Sequence, residues 1–190
     1  MKPPRRRKFL RWLPGLAGAP LAVGTAGAAD HAAGLAAGRA AGPAPAGAGG
    51  GPAQPGEPVA WPTVRLLDGQ PMGAAEVAGR ALVVVFFTTT CPFCRRHNRH
   101  LQRLYAEAPP GLTVLGVARE TDAARVRRHA AAEGYRFPIT LEAEPLAAAL
   151  SRRRLVPLTV TVARDGTLRQ VIPGEMSEED MLSLARLAAG

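Results

Sequence analysis

The sequence predicts an α/β fold, a three-layer sandwich in which a central mixed β-sheet is flanked by helices. Three observations carry that expectation. The run Ala81-Leu82-Val83-Val84-Val85-Phe86-Phe87 is continuously apolar and rich in branched and aromatic residues, the pattern of a central strand buried on both faces. A helical stretch and a second apolar strand, Leu112 to Ala118, follow it. Near the end, Asp165-Gly166 separates the apolar stretches Leu158 to Ala163 and Leu168 to Ile172, a strong hairpin signal. A β-α-β start joined to a β-β-α end requires parallel and antiparallel pairs in one sheet.

Taken in order, residues 1–29 have the layout of an export signal. A basic run leads into an apolar stretch from Leu13 to Ala29, broken by several glycines and prolines, and Ala26-Gly27-Ala28 offers small residues for cleavage. The stretch is too short and too weakly hydrophobic for a good membrane span. Arg6-Arg7-Lys8-Phe9-Leu10-Arg11 has the form of a twin-arginine signal. Residues 30–58 are almost all Ala, Gly and Pro, which bury no core, so they are expected to be a flexible linker. The folded domain is expected over 59–190. Charge supports this partition. The net charge is +9, but six of the 24 basic residues lie in the first eleven positions. From Ala29 onward 18 basic residues face 15 acids, leaving about +3, too little to argue a nucleic-acid partner.

Within the domain, Pro62 to Leu67 with Gly69 and Pro71 suggests a short strand and a turn, and Ala74 to Ala78 a brief helix. After the central strand, Pro92 suits the first position of a helix, where its missing N–H has no helical partner. That helix is expected to run to about Glu107, with Cys94, His97, Leu101, Leu104 and Ala108 inward. Asp122 or Thr121 caps a helix that Gly134 stops. Phe137 to Leu141 reads as extended, Pro145 to Arg152 as a short helix, and Ser177 with three acids behind it as the cap of a final helix.

Cys91 and Cys94 are the chain's only cysteines. They sit on a strand-to-helix turn, which reads as a redox pair. Disulfide exchange needs a reachable thiolate and a second thiol to finish the reaction. Helix N–H groups and the macrodipole favour a thiolate at Cys91. Cys94, one turn in, is the expected resolving thiol. His97 and His100 continue the spacing of three. On a helix each such step rotates about 60°, so the four side chains fan over roughly 180° and do not converge on one tetrahedral metal. No metal and no cofactor are expected. His97, alone on the inward face, is weighed between a packed core histidine and a proton-handling group for Cys94.

These residues bring a family into view. The domain resembles the thioredoxin fold, and most closely the periplasmic thiol–disulfide oxidoreductases of the TlpA/ResA type. The likeness rests on the apolar strand before Cys91-Pro92-Phe93-Cys94, Arg95 after it, Val156-Pro157, and Arg164-Asp165-Gly166. It implies a thioredoxin-like sandwich in which Pro157 is a cis-proline facing the cysteines and Val156 offers its backbone to an extended substrate. It implies a periplasmic enzyme that works with cysteine-containing protein substrates and a membrane thiol–disulfide electron donor, in the reducing direction. The sequence departs from the family pattern in having Thr90 for tryptophan, His97 for glutamate, Arg99 for a helix-kinking proline, Val85 for thioredoxin's buried aspartate and Leu158 for threonine. Two other readings are a peroxiredoxin-like peroxidase, since Thr88 lies three before Cys91, and a copper(I)-binding chaperone using both thiolates.

Overall fold

The computed structural model describes residues 51–189. The expected export segment and most of the expected linker lie outside the described residues. Two strands, β1 (Val64–Arg65) and β2 (Pro71–Met72), pair antiparallel as a short ribbon, and α1 (Ala74–Val77) follows. Then come β3 (Ala81–Phe87), α2 (Pro92–Ala106), β4 (Leu112–Ala118), α3 (Ala123–Glu133), β5 (Ile139–Thr140) and α4 (Ala143–Leu150). The chain ends in β6 (Leu158–Val162), β7 (Leu168–Pro173) and α5 (Glu178–Ser183), the last running on as a 3-10 helix over Leu184–Ala188.

The five-stranded sheet has the order β5-β4-β3-β6-β7. β3 pairs parallel with β4 and β4 with β5, whereas β6 lies antiparallel to both β3 and β7. This is the expected mixed sheet, with the apolar run at its centre and all seven of its residues buried. Alternation divides that strand between two cores. Val83, Val85 and Phe87 pack with Leu101 and Leu104 of α2, Val126 of α3 and Met181 of α5. Leu82, Val84 and Phe86 pack with Leu146 and Leu150 of α4. Helices on both faces of one sheet make the three layers. At Gly116 in β4, an added Cβ would lie 2.7 Å from the Phe137 ring, so the strand approaches that ring as only glycine allows.

The folded body begins earlier than composition predicts. Ala53 N–H bonds the Ala149 carbonyl at 3.0 Å, and Gly56, Glu57 and Val59 bond along Gly166 to Leu168. That backbone covers the start of β7, the outer strand of the sheet. An edge is closed by main-chain groups, which carry no side-chain pattern to read. Shorter differences occur at helix ends. α4 spans Ala143–Leu150, two residues earlier than expected, with Pro145 tolerated in its first turn. The final helix tightens to 3-10 at Leu184.

Candidate active site

The buried end of β3 delivers Thr88 to Thr90, and the chain then turns into α2 with Cys91 as its N-cap. Cys91 Sγ accepts the Cys94 N–H at 3.2 Å, and lies 4.0 Å from the Val156 carbonyl oxygen. The sulfur thus takes the place usually held by a capping oxygen, using a helix N–H that has no helical acceptor. Across from it the Val156–Pro157 peptide bond is cis. Both cysteines are free thiols here. Cys91 is half-buried, while Cys94 is 1% exposed. Burial, reinforced by its hydrogen bond with Cys91, pushes the Cys94 thiol up to about 12. Cys94 is therefore protonated at neutral pH.

His97 is fully buried one turn beyond Cys94. Its Nδ1 accepts the Met176 N–H at 3.1 Å, and its Nε2 lies 3.0 Å from Thr159 Oγ1. An Nδ1 that accepts has no proton, so the proton is on Nε2 and is donated to the threonine. Burial, helped by nearby His100 and opposed by Glu175, lowers the pKa to about 4, so the ring is neutral at physiological pH. Both ring nitrogens are thus engaged, one by Met176 and the other by Thr159. His100 joins the same contact, with Nδ1 donating to the Met176 carbonyl at 3.2 Å. The two histidines clamp one backbone residue from either side.

The arginines around the pair are paired with acids. Arg96 makes a fork to Glu175 at 2.8 and 2.6 Å, while Arg95 and Arg99 share Glu133 at 3.1 and 3.3 Å. Four residues escape the sequence reading. Glu120, just past β4, accepts from Thr89 N–H at 3.0 Å and from the Thr89 hydroxyl, holding the loop before Cys91; Arg125 Nε also reaches that hydroxyl at 3.0 Å. Glu120 carries no sequence signal, because its partner lies 31 positions away. Thr159 and Met176 are equally remote from His97. Asn98, by contrast, lies on the inward stripe and is fully buried, and its helical spacing from Cys94 and Leu101 is a signal that was there to use.

Residues 54–186 match the Redoxin family, and the chain belongs to it. The thiol–disulfide oxidoreductase ResA of Halalkalibacterium halodurans is 26% identical over 60% of this chain, which spans 65% of that relative's length. The soluble secreted antigen MPT53 of Mycobacterium tuberculosis is 29% identical over 67% of this chain and 73% of its own. Among solved structures, a thioredoxin-family thiol:disulfide interchange protein of Chlorobium tepidum superposes with a TM-score of 0.65 at 25% identity, covering 73% of this chain and 99% of that one. The fold is thioredoxin-like, and the kinship is with thiol–disulfide oxidoreductases of the ResA type.

Proposed function

We propose that this redoxin is an exported thiol–disulfide oxidoreductase that reduces disulfides in cysteine-containing proteins. The observation that carries the reading is the asymmetry of the pair: Cys91 reachable at a helix N-terminus, Cys94 buried behind it as a protonated thiol. In the reducing direction the Cys91 thiolate attacks one sulfur of a substrate disulfide. A Cys91–substrate disulfide forms and the other substrate sulfur leaves as a thiolate. Cys94 then loses its proton and attacks Cys91 sulfur, releasing the second substrate thiol and leaving a Cys91–Cys94 disulfide. The departing thiolates are the natural proton acceptors, since His97 has both ring nitrogens occupied. Val156, whose carbonyl lies beside Cys91 sulfur, and Pro157 form the surface on which the substrate backbone lies.

Each turnover leaves the protein oxidised, so a membrane thiol–disulfide donor recharges it. Residues 1–29 serve as a twin-arginine signal and the following Ala/Gly/Pro stretch as a tether, which makes the site of action extracytoplasmic, in the periplasm. Two features support that setting: the basic-apolar-small order of the N-terminus and the similarity to a protein named as a secreted antigen. No helix among the described residues is long and apolar enough to cross a membrane.

The test is a glutathione redox titration combined with partner trapping by Cys94→Ala in the native compartment. A potential between roughly −270 and −180 mV, with trapped cysteine proteins, is expected; a value near about −120 mV overturns the reducing direction. Hydroperoxide turnover outpacing exchange, or copper(I) capture without exchange, would replace the reading altogether. Replacing Arg6 and Arg7 with lysine should strand a precursor in the cytoplasm.

A further inference from the structure

Asn98 lies four positions beyond Cys94 in α2, and both side chains are buried, at 0% and 1% exposure. Residues four apart on a helix share one face, with Cβ atoms about 5–6 Å apart, and helical side chains lean toward the N-terminus. The Asn98 amide therefore lies over the turn that carries the Cys94 thiol. It is a costly group to place there. Its Oδ1 and Nδ2 are both enclosed and meet no hydrogen-bond partner among the described residues, whereas buried amides as a rule are paired.

Its surroundings do little to hold it. Tyr135, packed in the same core as Cys94, donates its hydroxyl hydrogen to the Arg95 carbonyl at 3.4 Å. Burial, and after it Glu133, pushes that phenol up to about 12. Arg99, Arg95 and the nearby Asn98 amide offset part of the rise, yet the amide closes no hydrogen bond of its own. Further round the helix His97 is held at both nitrogens, by Met176 and by Thr159. Among the buried side chains of α2, which are Cys94, His97, Asn98, Leu101 and Leu104, Asn98 is thus the one with uncommitted N–H donors.

We propose that Asn98 serves the second step of exchange: its side-chain N–H donates to Cys94 sulfur as that atom takes on negative charge. The inference rests on the oxidoreductase reading, in which Cys94 attacks the Cys91–substrate disulfide. Cys94 is the thiol that needs such help. Burial and the hydrogen bond with Cys91 oppose its ionisation, and backbone hydrogen bonds at Thr88 and Cys94 offset that only in part. A donor that is idle beside the neutral thiol and engaged by the thiolate favours the charged state over the neutral one, and so lowers the barrier to attack. Turning the amide toward the sulfur breaks no hydrogen bond to the described residues. No proton leaves Asn98. The Cys94 proton goes to the departing thiolate, the Cys94–Cys91 bond forms as the Cys91–substrate bond breaks, and the amide stays neutral throughout.

Asn98→Leu keeps the side chain's shape and removes its donors. The full reduced chain is mixed with uncharged hydroxyethyl disulfide, quenched with acid at intervals and read by intact-mass spectrometry, which separates the Cys91 mixed disulfide from the Cys91–Cys94 disulfide. In the variant the mixed disulfide is expected to form at the unmodified rate and to decay on the order of tenfold more slowly, through the loss of one hydrogen bond to a charged group. Asn98→Met, whose flexible chain adapts to the same space, repeats the comparison if leucine is not accommodated. Decay at the unmodified rate overturns the role of Asn98 and leaves the oxidoreductase standing. Equal slowing of both steps does the same, because it marks a packing role. An unmodified chain that forms neither the mixed disulfide nor the Cys91–Cys94 disulfide overturns both.

Discussion

Cys91 and Cys94 stand three positions apart on α2, as do His97 and His100, and the four continue one another at constant spacing. Their environments differ because the helix offers different things along its length. At its N-terminus the backbone N–H groups have no helical acceptor, so Cys91 sulfur takes one from Cys94 at 3.2 Å and is left facing outward. One and two turns later the backbone is satisfied internally, and the side chains turn to another segment. There His97 and His100 hold the N–H and the carbonyl of Met176, flanked by the Arg96–Glu175 and Arg103–Glu178 ion pairs. The same spacing builds an accessible thiol at the helix start and a fastened middle. The difference teaches that position along a helix, more than periodicity, sets what a polar side chain on it does.

Substitutions test this division, and the largest effect is expected at the helix start. Cys91→Ser should abolish disulfide exchange, and Cys94→Ala should still attack but accumulate as a mixed disulfide. Labelling with iodoacetamide at mildly acidic pH reads the asymmetry directly. Faster labelling of Cys94 than of Cys91 would reverse the roles.

In the fastened middle the expected losses are of stability. His97→Ala leaves the Met176 N–H and the Thr159 hydroxyl buried without partners and opens a cavity, costing about 3 kcal/mol in urea unfolding. If exchange by the folded fraction fell as far as in Cys91→Ser, a purely structural part for His97 would be wrong. A subtler readout is pH. His97 titrates near 4 when folded and near 6.5 when unfolded. The unfolded chain therefore binds the extra proton between those values. The contribution is complete above about pH 6.5 and is lost as pH falls toward about 4, by up to roughly 3 kcal/mol. In His97→Gln that part of the acid dependence should vanish, whereas a purely steric role would leave the slope in place.

Smaller effects follow outward from the core. His100→Ala removes one half-buried hydrogen bond to a carbonyl, worth about 1 kcal/mol. Arg96→Ala breaks an exposed ion pair and should barely move the melting temperature; a shift as large as that of His97→Ala would mean the clamp is held from its rim.

The sequence by itself determined the sheet's centre, the order of elements and the place of the two cysteines on a strand-to-helix turn. Those depend on local signals: seven apolar residues in a row, a proline at a helix start, a glycine at Gly134 in the left-handed region with φ 74°, and an Asp-Gly turn. Tertiary structure alone decided what each polar side chain meets. His97 faces Met176 at a separation of 79 residues and Thr159 at 62, Glu120 faces Thr89 across 31, and the 53–59 segment closes the β7 edge through backbone groups. Hydrogen bonds of that kind join atoms that only folding makes neighbours, and main-chain contacts ask nothing of residue type. Periodicity shows which way a side chain points, but its partner comes from another part of the chain, and the sheet brings the two together.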